Sequence, residues 1–213
     1  MVFSSLEFIY LFLFPTLGVF IVLRHLKWEK GIIYWLIITS LIFYAWWSVS
    51  YLILLLLSVI INFGFHKLLL VHRSRFILTM ATILNLATLA YFKYADFLIE
   101  NINNLTQAQI PMLNVILPLA ISFFTFQQIA FHMDVAKGEV HEVNPINYAL
   151  FVSFFPQLIA GPIVHHHEMM GQFANKDNWR INSRNIYLGI FIFSIGIFKK
   201  VLLPTLGLPI IEI

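Results

Sequence analysis

The stretch Phe154–Phe173 reads F-F-P-Q-L-I-A-G-P-I-V-H-H-H-E-M-M-G-Q-F and decides the fold more than any other part of the chain. It places Pro156, Gly161 and Pro162 inside an apolar run that ends at three histidines. Lipid offers no hydrogen-bond partners, so non-helical backbone at membrane depth persists only where protein or a water-filled cavity surrounds it. The stretch therefore predicts a broken apolar segment that lines an intramembrane path and is either re-entrant, which we favour, or a full crossing.

The composition indicates that this segment belongs to an integral membrane protein. The 213 residues are 60% hydrophobic and 11% charged, whereas a soluble domain carries about 25% charged residues. The net charge of +3 comes from basic residues scattered among short loops, a pattern typical of membrane topology signals and not of nucleic-acid binding. The chain has no cysteine, which excludes disulfides and thiolate chemistry. The predicted partner is the lipid bilayer, with no nucleic acid.

Apolar runs of spanning length occur five times, at residues 3–23, 31–49, 50–71, 76–98 and 113–133. A helix needs about 20 residues to cross the hydrocarbon core. A shorter broken run covers 147–164, and a last run covers 186–203. We therefore predict an all-α polytopic integral membrane protein with about six spanning helices and one broken or re-entrant segment.

The charges of the first loops predict an orientation. The loops after the first and third spans are basic, whereas the loop after the fourth carries Asp96 and Glu100 and no Lys or Arg before Pro111. Because cytoplasmic loops carry the excess of Lys and Arg, we expect the N-terminus to lie outside the cytoplasm.

Four blocks of sequence carry a resemblance to a known family. They are M-V-F-S-S-L-E-F at residues 1–8, L-I-F-Y-A-W-W at 41–47, Y-F-K-Y-A-D-F at 91–97, and a block that begins as L-P-L-A-I-S-F-F-T-F-Q at 117–127 and ends in F-F-P-Q-L-I-A-G-P-I. In order and spacing, the chain resembles the N-terminal half of a membrane-bound O-acyltransferase (MBOAT) of the alginate O-acetyltransferase type. The resemblance extends from residue 1 to about 201.

The resemblance implies O-acetylation of an exported polysaccharide at the bacterial cytoplasmic (inner) membrane. It implies an acetyl donor, a polysaccharide acceptor and exopolysaccharide-assembly proteins as partners, with no bound cofactor. A membrane transporter or channel, or a non-catalytic membrane subunit, is the alternative, because broken apolar segments also occur in transporters. The second interrupted segment that an inverted repeat would supply is not found in this sequence.

The resemblance also implies where catalysis would reside. In this family the catalytic histidine follows an arginine-tryptophan-rich stretch in a W-H context, and a second sits in an L-W-H-G-like context. None of the eight histidines here has either context. We therefore assign no catalytic residue and expect no acetyltransferase activity from this chain alone.

The last residues depart from the family pattern, and we expect 1–201 to be the N-terminal part of an MBOAT domain and 202–213 a divergent tail. With suitable codons, a shift of one base converts residues 203–213 into I-A-D-T-W-V-A-N-N-R-D, which is a family-like continuation. The tail is therefore predicted to be frameshifted.

Several polar or helix-breaking residues are candidates for lining a cavity. Polar side chains in lipid-embedded helices usually bond to another helix or line a cavity. The candidates are Gln127, Gln128, Pro156, Gln157, Gly161, Pro162, His165 and His166. We predict no metal at the three adjacent histidines, because neighbouring helical residues point about 100° apart and zinc ligands are usually separated.

Two pairs of charged or titratable residues lie near the ends of the fourth and fifth predicted spans. Lys93 and Asp96 are three residues apart, so they are predicted to share a helix face and form a structural ion pair. His132 and Asp134 are two apart and are predicted to face different ways, which argues against a catalytic dyad.

Overall fold

The computed structural model describes residues 3–141, 143–161, 165–179 and 182–202, and every regular element in them is helical. In chain order the α-helices are α1 (Phe14–His25), α2 (Glu29–Trp47), α3 (Val49–His72), α4 (Arg75–Thr106), α5 (Ile121–Lys137), α6 (Pro145–Ser153), α7 (Phe155–Ala160), α8 (His166–Ala174) and α9 (Ser183–Ile197). The predicted all-α class is confirmed. Pro162 and the tail at 203–213 lie outside the described residues.

Short helices of other types extend this set. A π-helix, Phe8–Leu13, runs directly into α1, and a second, Phe198–Leu202, continues α9. A turn of 3₁₀-helix covers Lys176–Trp179.

Within the described residues, four helices are long and apolar enough to cross a bilayer: Phe8–His25, Glu29–Trp47, Val49–His72 and Arg75–Thr106. They match the first four predicted spans. The other two predicted runs form shorter α-helices. The run at 186–203 overlaps α9, which begins at Ser183 and has 15 residues before its π-helical continuation.

The run at 113–133 is not one continuous helix, and the prediction was wrong about its first part. Residues 107–118 form no helix, and α5 has only 17 residues. Pro118 disfavours helical backbone at the residue before it. Ala120, the N-cap of α5, then adopts the left-handed conformation with φ 56°. The apolar composition predicted a span from residue 113, but Pro118 and the left-handed conformation of Ala120 delay the start of the helix to Ile121.

Asp96 holds this loop in place. Its Oδ1 accepts hydrogen bonds from the backbone N–H groups of Leu113 (2.7 Å) and Asn114 (3.2 Å), and its Oδ2 accepts one from Val115 (2.8 Å). The predicted ion pair with Lys93 is not present among the described contacts. The Lys93 Nζ lies over the ring of Tyr94 instead, 5.4 Å from its centroid.

The chain divides into two units. The larger contains residues 33–172, in which α3, α4 and α5 pack together, α6 packs on α3 and α5, and α7 packs on α5. The smaller combines the first 32 residues with those from Phe173 onward. Within it, the Arg24 Nε donates a hydrogen bond to the backbone oxygen of Trp179 (2.8 Å).

Helix α3 has a buried face with polar residues and an exposed face that is apolar. Its polar residues Asn62 and His66 are buried, whereas Leu57, Ile60 and Ile61 are exposed. Asn62 and His66 are four residues apart and therefore share one helix face. Because an outward-facing apolar surface is stable only in lipid or against another protein, this distribution agrees with a helix that crosses a membrane.

The predicted break in Phe154–Phe173 is confirmed. Helix α6 ends at Ser153, and α7 begins at Phe155 after the single non-helical residue Phe154. Pro156 lies in the first turn of α7, where the missing N–H costs nothing. The backbone N–H of Phe155 donates to the Oγ of Ser40 (3.2 Å). A side chain of α2 therefore satisfies a backbone group that the break removes from the helical pattern.

Replacement of Ser40 by alanine should destabilise the protein. Ser40→Ala leaves the buried N–H of Phe155 without this acceptor, which costs about 1–3 kcal/mol. The free energy of unfolding in mild detergent, measured by denaturant titration, tests this. Ser48→Ala is the matched control, because Ser48 precedes α3 without a side-chain capping bond. Equal stability of the two variants would contradict the assigned role of Ser40.

Candidate functional site

The described members of the predicted cavity set lie on α5 or on segments that contact it in the larger unit. Gln127 and Gln128 lie on α5 itself, and both are buried. The Nε2 of Gln127 donates to the backbone oxygen of Phe151 (2.9 Å), at the end of α6. Gln127 thus binds a carbonyl near the point where the backbone breaks. Both glutamines contact neighbouring helices; their role as cavity lining stays a prediction.

The remaining candidates lie on the broken segment and its continuation. Pro156 and Gln157 belong to α7, and Gly161 follows it. The side-chain carboxamide of Gln157 lies directly against Gly161, in the space that a Cβ atom would occupy. His165 and His166 stand at the start of α8.

A layer of buried polar side chains crosses the larger unit. We call it the polar layer; its members are the half-buried Ser58 and the buried Asn62, Asn85, Gln128, His132 and Tyr148. The Nε2 of Gln128 donates to the Oγ of Ser58 (2.9 Å), and the hydroxyl of Tyr148 donates to the Oε1 of Gln128 (3.0 Å). One glutamine therefore connects α3, α5 and α6.

The second part of the polar layer contains His132. Asn62 and Asn85 exchange side-chain hydrogen bonds between α3 and α4. The Nε2 of His132 lies 2.9 Å from the Oδ1 of Asn62. Because that oxygen is an acceptor, Nε2 of His132 carries the proton and donates it. Its Nδ1 then has a free lone pair and no partner among the described residues.

Three buried histidines surround the ring of Phe131. The ring centroids of His66, His132 and His166 lie 5.0, 6.0 and 5.1 Å from that of Phe131. Neither ring nitrogen of His66, nor the Nε2 of His166, has a hydrogen-bond partner in the described part of the chain. The phenyl ring is the common neighbour of these imidazoles. No three His, Asp or Glu side chains of the described residues form a group able to hold a metal ion.

A different histidine pairs with a carboxylate. The Nδ1 of His165 lies 2.9 Å from the Oδ2 of Asp134. The side chain of Asp134 is only 2% exposed and that of His165 is 52% exposed. The hydrogen bond to Asp134 and the negative charge of that carboxylate raise the pKa of His165 above its ordinary value of 6.5. We call these two residues the Asp134–His165 pair.

The positions of His132 and Asp134 agree with the sequence prediction. His132 bonds to Asn62, and Asp134 bonds to His165, so the two side chains serve different partners. Sequence reasoning did not predict the Asp134–His165 pair. Its members are 31 residues apart, and no local spacing brings them together.

Removal of the Tyr148 hydroxyl should weaken the polar layer without changing the ring packing. Tyr148→Phe deletes the donor to Gln128 and should lower the free energy of unfolding by about 0.5–2 kcal/mol, the range for hydrogen bonds between membrane helices. Denaturant titration in mild detergent measures the change. Tyr187→Phe, at a residue 79% exposed, is the control. A loss in Tyr148→Phe no larger than in the control would contradict a stabilising role for this bond.

Comparison with known proteins gives a consistent result. The family model of the membrane-bound O-acyltransferases matches residues 41–210. A peptidoglycan O-acetyltransferase of Helicobacter pylori is 44% identical over 236 residues, covering 95% of this chain and 44% of the relative. The "Probable alginate O-acetylase AlgI" of Pseudomonas aeruginosa is 34% identical over 186 residues, covering 83% of this chain and 35% of the relative.

A third relative shows similar coverage. The protein of the same name from Azotobacter vinelandii is 30% identical over 224 residues, covering all of this chain and 43% of the relative. The chain thus spans less than half the length of these curated relatives. No solved structure matches the chain significantly.

Proposed function

The chain belongs to the membrane-bound O-acyltransferase family, and we propose that it forms the membrane-embedded N-terminal part of an enzyme that O-acetylates an exported polysaccharide. The observation that supports this most is the similarity to relatives named for acetyl transfer to peptidoglycan or alginate. The helical fold and apolar surface of an integral membrane protein agree with it.

The acceptor we propose is a sugar hydroxyl of peptidoglycan. The relative named for peptidoglycan is 44% identical over 95% of the chain, against 34% over 83% for the Pseudomonas aeruginosa relative named for alginate. The resemblance of the sequence blocks favoured an alginate-type acceptor, which is the alternative to peptidoglycan in the experiment below. We place the protein in the bacterial cytoplasmic membrane with its N-terminus outside, where it would meet envelope-assembly proteins.

The structure suggests what this part contributes to acetyl transfer. A polysaccharide hydroxyl outside the cytoplasm and an acyl donor must meet at one site. Acyl transfer needs positioned reactants and a group that removes the hydroxyl proton. The polar layer fixes the relative positions of α3, α4, α5 and α6. The broken segment packs on α5 through α7 and is bonded to Ser40 of α2. It precedes His165, whose side chain is half-exposed.

A region exchange tests the proposed function. The matched region of the Helicobacter pylori relative is replaced by the corresponding region of this chain, and the chimera is expressed in a strain that lacks its own peptidoglycan O-acetyltransferase. We expect acetate to be released by mild alkali from the purified cell wall. The same exchange in the Pseudomonas aeruginosa relative, with alginate as acceptor, should restore less activity than the unmodified relative does.

The controls are the two unmodified relatives and an empty vector, with membrane levels of each protein measured by immunoblotting. Stronger restoration in the alginate chimera would favour the alginate-type acceptor. Chimeras that accumulate as the unmodified relatives do, and yet restore neither ester, would refute the proposed function.

A further inference from the structure

We propose that residues 113–117, in the loop that joins α4 to α5, form a lipid-contact segment where the hydrocarbon core of the bilayer meets the headgroups. We call these residues the boundary segment. Its apolar side chains contact phospholipid acyl chains, while side chains of α3 and α4 hold its backbone. The proposal adds a non-helical membrane contact to the spanning helices, and it does not depend on acetyl transfer.

The backbone of the boundary segment is bonded to side chains of two spanning helices. Asp96 on α4 accepts hydrogen bonds from three successive N–H groups of the segment, at 2.7, 3.2 and 2.8 Å. The hydroxyl of Tyr51, on α3, donates to the backbone oxygen of Ile116 (2.6 Å). Hydrogen bonds to an ionised carboxylate are stronger than those between neutral groups. The segment therefore has a fixed position relative to α3 and α4.

The length of α4 gives the depth of the boundary segment. Asp96 follows Arg75, the first residue of α4, by 21 residues, which is about 32 Å at about 1.5 Å per residue. At the usual tilt of about 20° this is about 30 Å along the membrane normal, which is about the thickness of the hydrocarbon core. When Arg75 lies at one boundary of the core, Asp96 and the backbone that it binds lie at the other.

The length of α5 agrees with this depth. A guanidinium nitrogen of Arg73 lies 3.8 Å from the position that a Cβ atom would occupy at Gly138, so α5 ends at the level where α4 begins. The 17 residues of α5 cover about 25 Å, which falls short of the core by several ångström. Residues 118–120 cover the difference. Pro118 is buried and the next two residues are half-buried, as non-helical backbone inside the core requires.

The side chains of the boundary segment favour lipid over water. Leu113, Ile116 and Leu117 are 51%, 67% and 48% exposed. No Lys, Arg, His, Asp or Glu occurs from Asn101 to Phe131. An exposed apolar patch is stable only against lipid or another protein. The segment thus has the surface chemistry of a membrane contact, although it is not helical.

Continuity with the spanning helices identifies lipid as the occupant. Tyr51 lies in the first turn of α3, and Trp46 and Trp47 end α2 with 55% and 53% of their side chains exposed. Trp and Tyr are enriched where the hydrocarbon meets the headgroups. Because Tyr51 bonds to Ile116, the boundary segment adjoins this exposed aromatic end of α2 and α3. The segment therefore extends a surface that the spanning helices already present to lipid.

Spin labels in the complete chain test the proposal. The chain has no cysteine, so single-cysteine variants can carry one nitroxide each in phosphatidylcholine vesicles. The label at Ile116→Cys should collide more often with oxygen, which dissolves among acyl chains, than with a water-soluble nickel chelate. Ile60→Cys is the lipid control, because Ile60 lies in the middle of α3 and is 66% exposed. Both labels should show a similar ratio of oxygen to nickel collisions.

The aqueous control is Gln109→Cys, at an exposed residue of the same loop. Its neighbour Ile110 is paired with Asn103, which lies seven residues beyond Asp96 on α4 and thus about 10 Å outside the core. A label at Ile116 that prefers the nickel chelate, as the Gln109 label should, would show an aqueous loop and overturn the proposal. Protection from both reagents would also overturn it, because a second copy or another protein would then cover the segment.

Substitution of Asp96 tests what holds the boundary segment. Asp96→Asn removes one of the two accepting oxygens, so nickel collisions at the Ile116 label should rise relative to oxygen collisions. Glu100→Gln is the matched control, because Glu100 is acidic, lies on the same helix and makes no hydrogen bond to the loop among the described contacts. Tyr51→Phe removes only the bond to Ile116 and should cause a smaller change in the same direction. An unchanged ratio in both Asp96→Asn and Tyr51→Phe would refute the assigned anchoring.

Discussion

The backbone hydrogen-bonding groups that this protein removes from water need partners inside the protein, because lipid provides none. The consequences are clearest where the backbone is not helical. At Phe155, the partner is a serine of α2. In the loop before α5, three successive backbone N–H groups are bound by the carboxylate of Asp96. Irregular backbone thus occurs next to a side chain that compensates for it.

The need for internal hydrogen-bond partners makes α5 the organising element of the larger unit, although it is the shortest of the three helices α3, α4 and α5 that pack together. Gln127 bonds to α6, and Gln128 bonds to both α3 and α6. His132 bonds to α3, and Asp134 bonds to His165, which directly precedes α8. Apolar contacts distinguish little between lipid and a neighbouring helix, whereas these bonds can be made only in one arrangement. The polar residues of α5 therefore specify the positions of its neighbours.

Much of this arrangement follows from local sequence. Residues 31–49, 50–71 and 76–98 are long apolar runs, and they form α2, α3 and α4. The Pro and Gly pattern placed the break correctly. The spacing of Asn62 and His66 also contained a usable signal, since residues four apart share a face. In contrast, the start of α5 and the partner of Asp96 depend on loop backbone that hydrophobicity does not describe.

The Asp134–His165 pair could not be predicted in this way, since it depends on how α8 meets α5. Its position nevertheless follows from the break. Helices α6 and α7 have nine and six residues, too few to be stable alone. Such a segment needs tertiary contacts on both sides of its interruption. Ser40 supplies one near Phe155, and Asp134 supplies another beyond Gly161. A carboxylate that fixes the end of the segment also fixes the orientation of the imidazole, so anchoring of the segment and orientation of the ring arise from one contact.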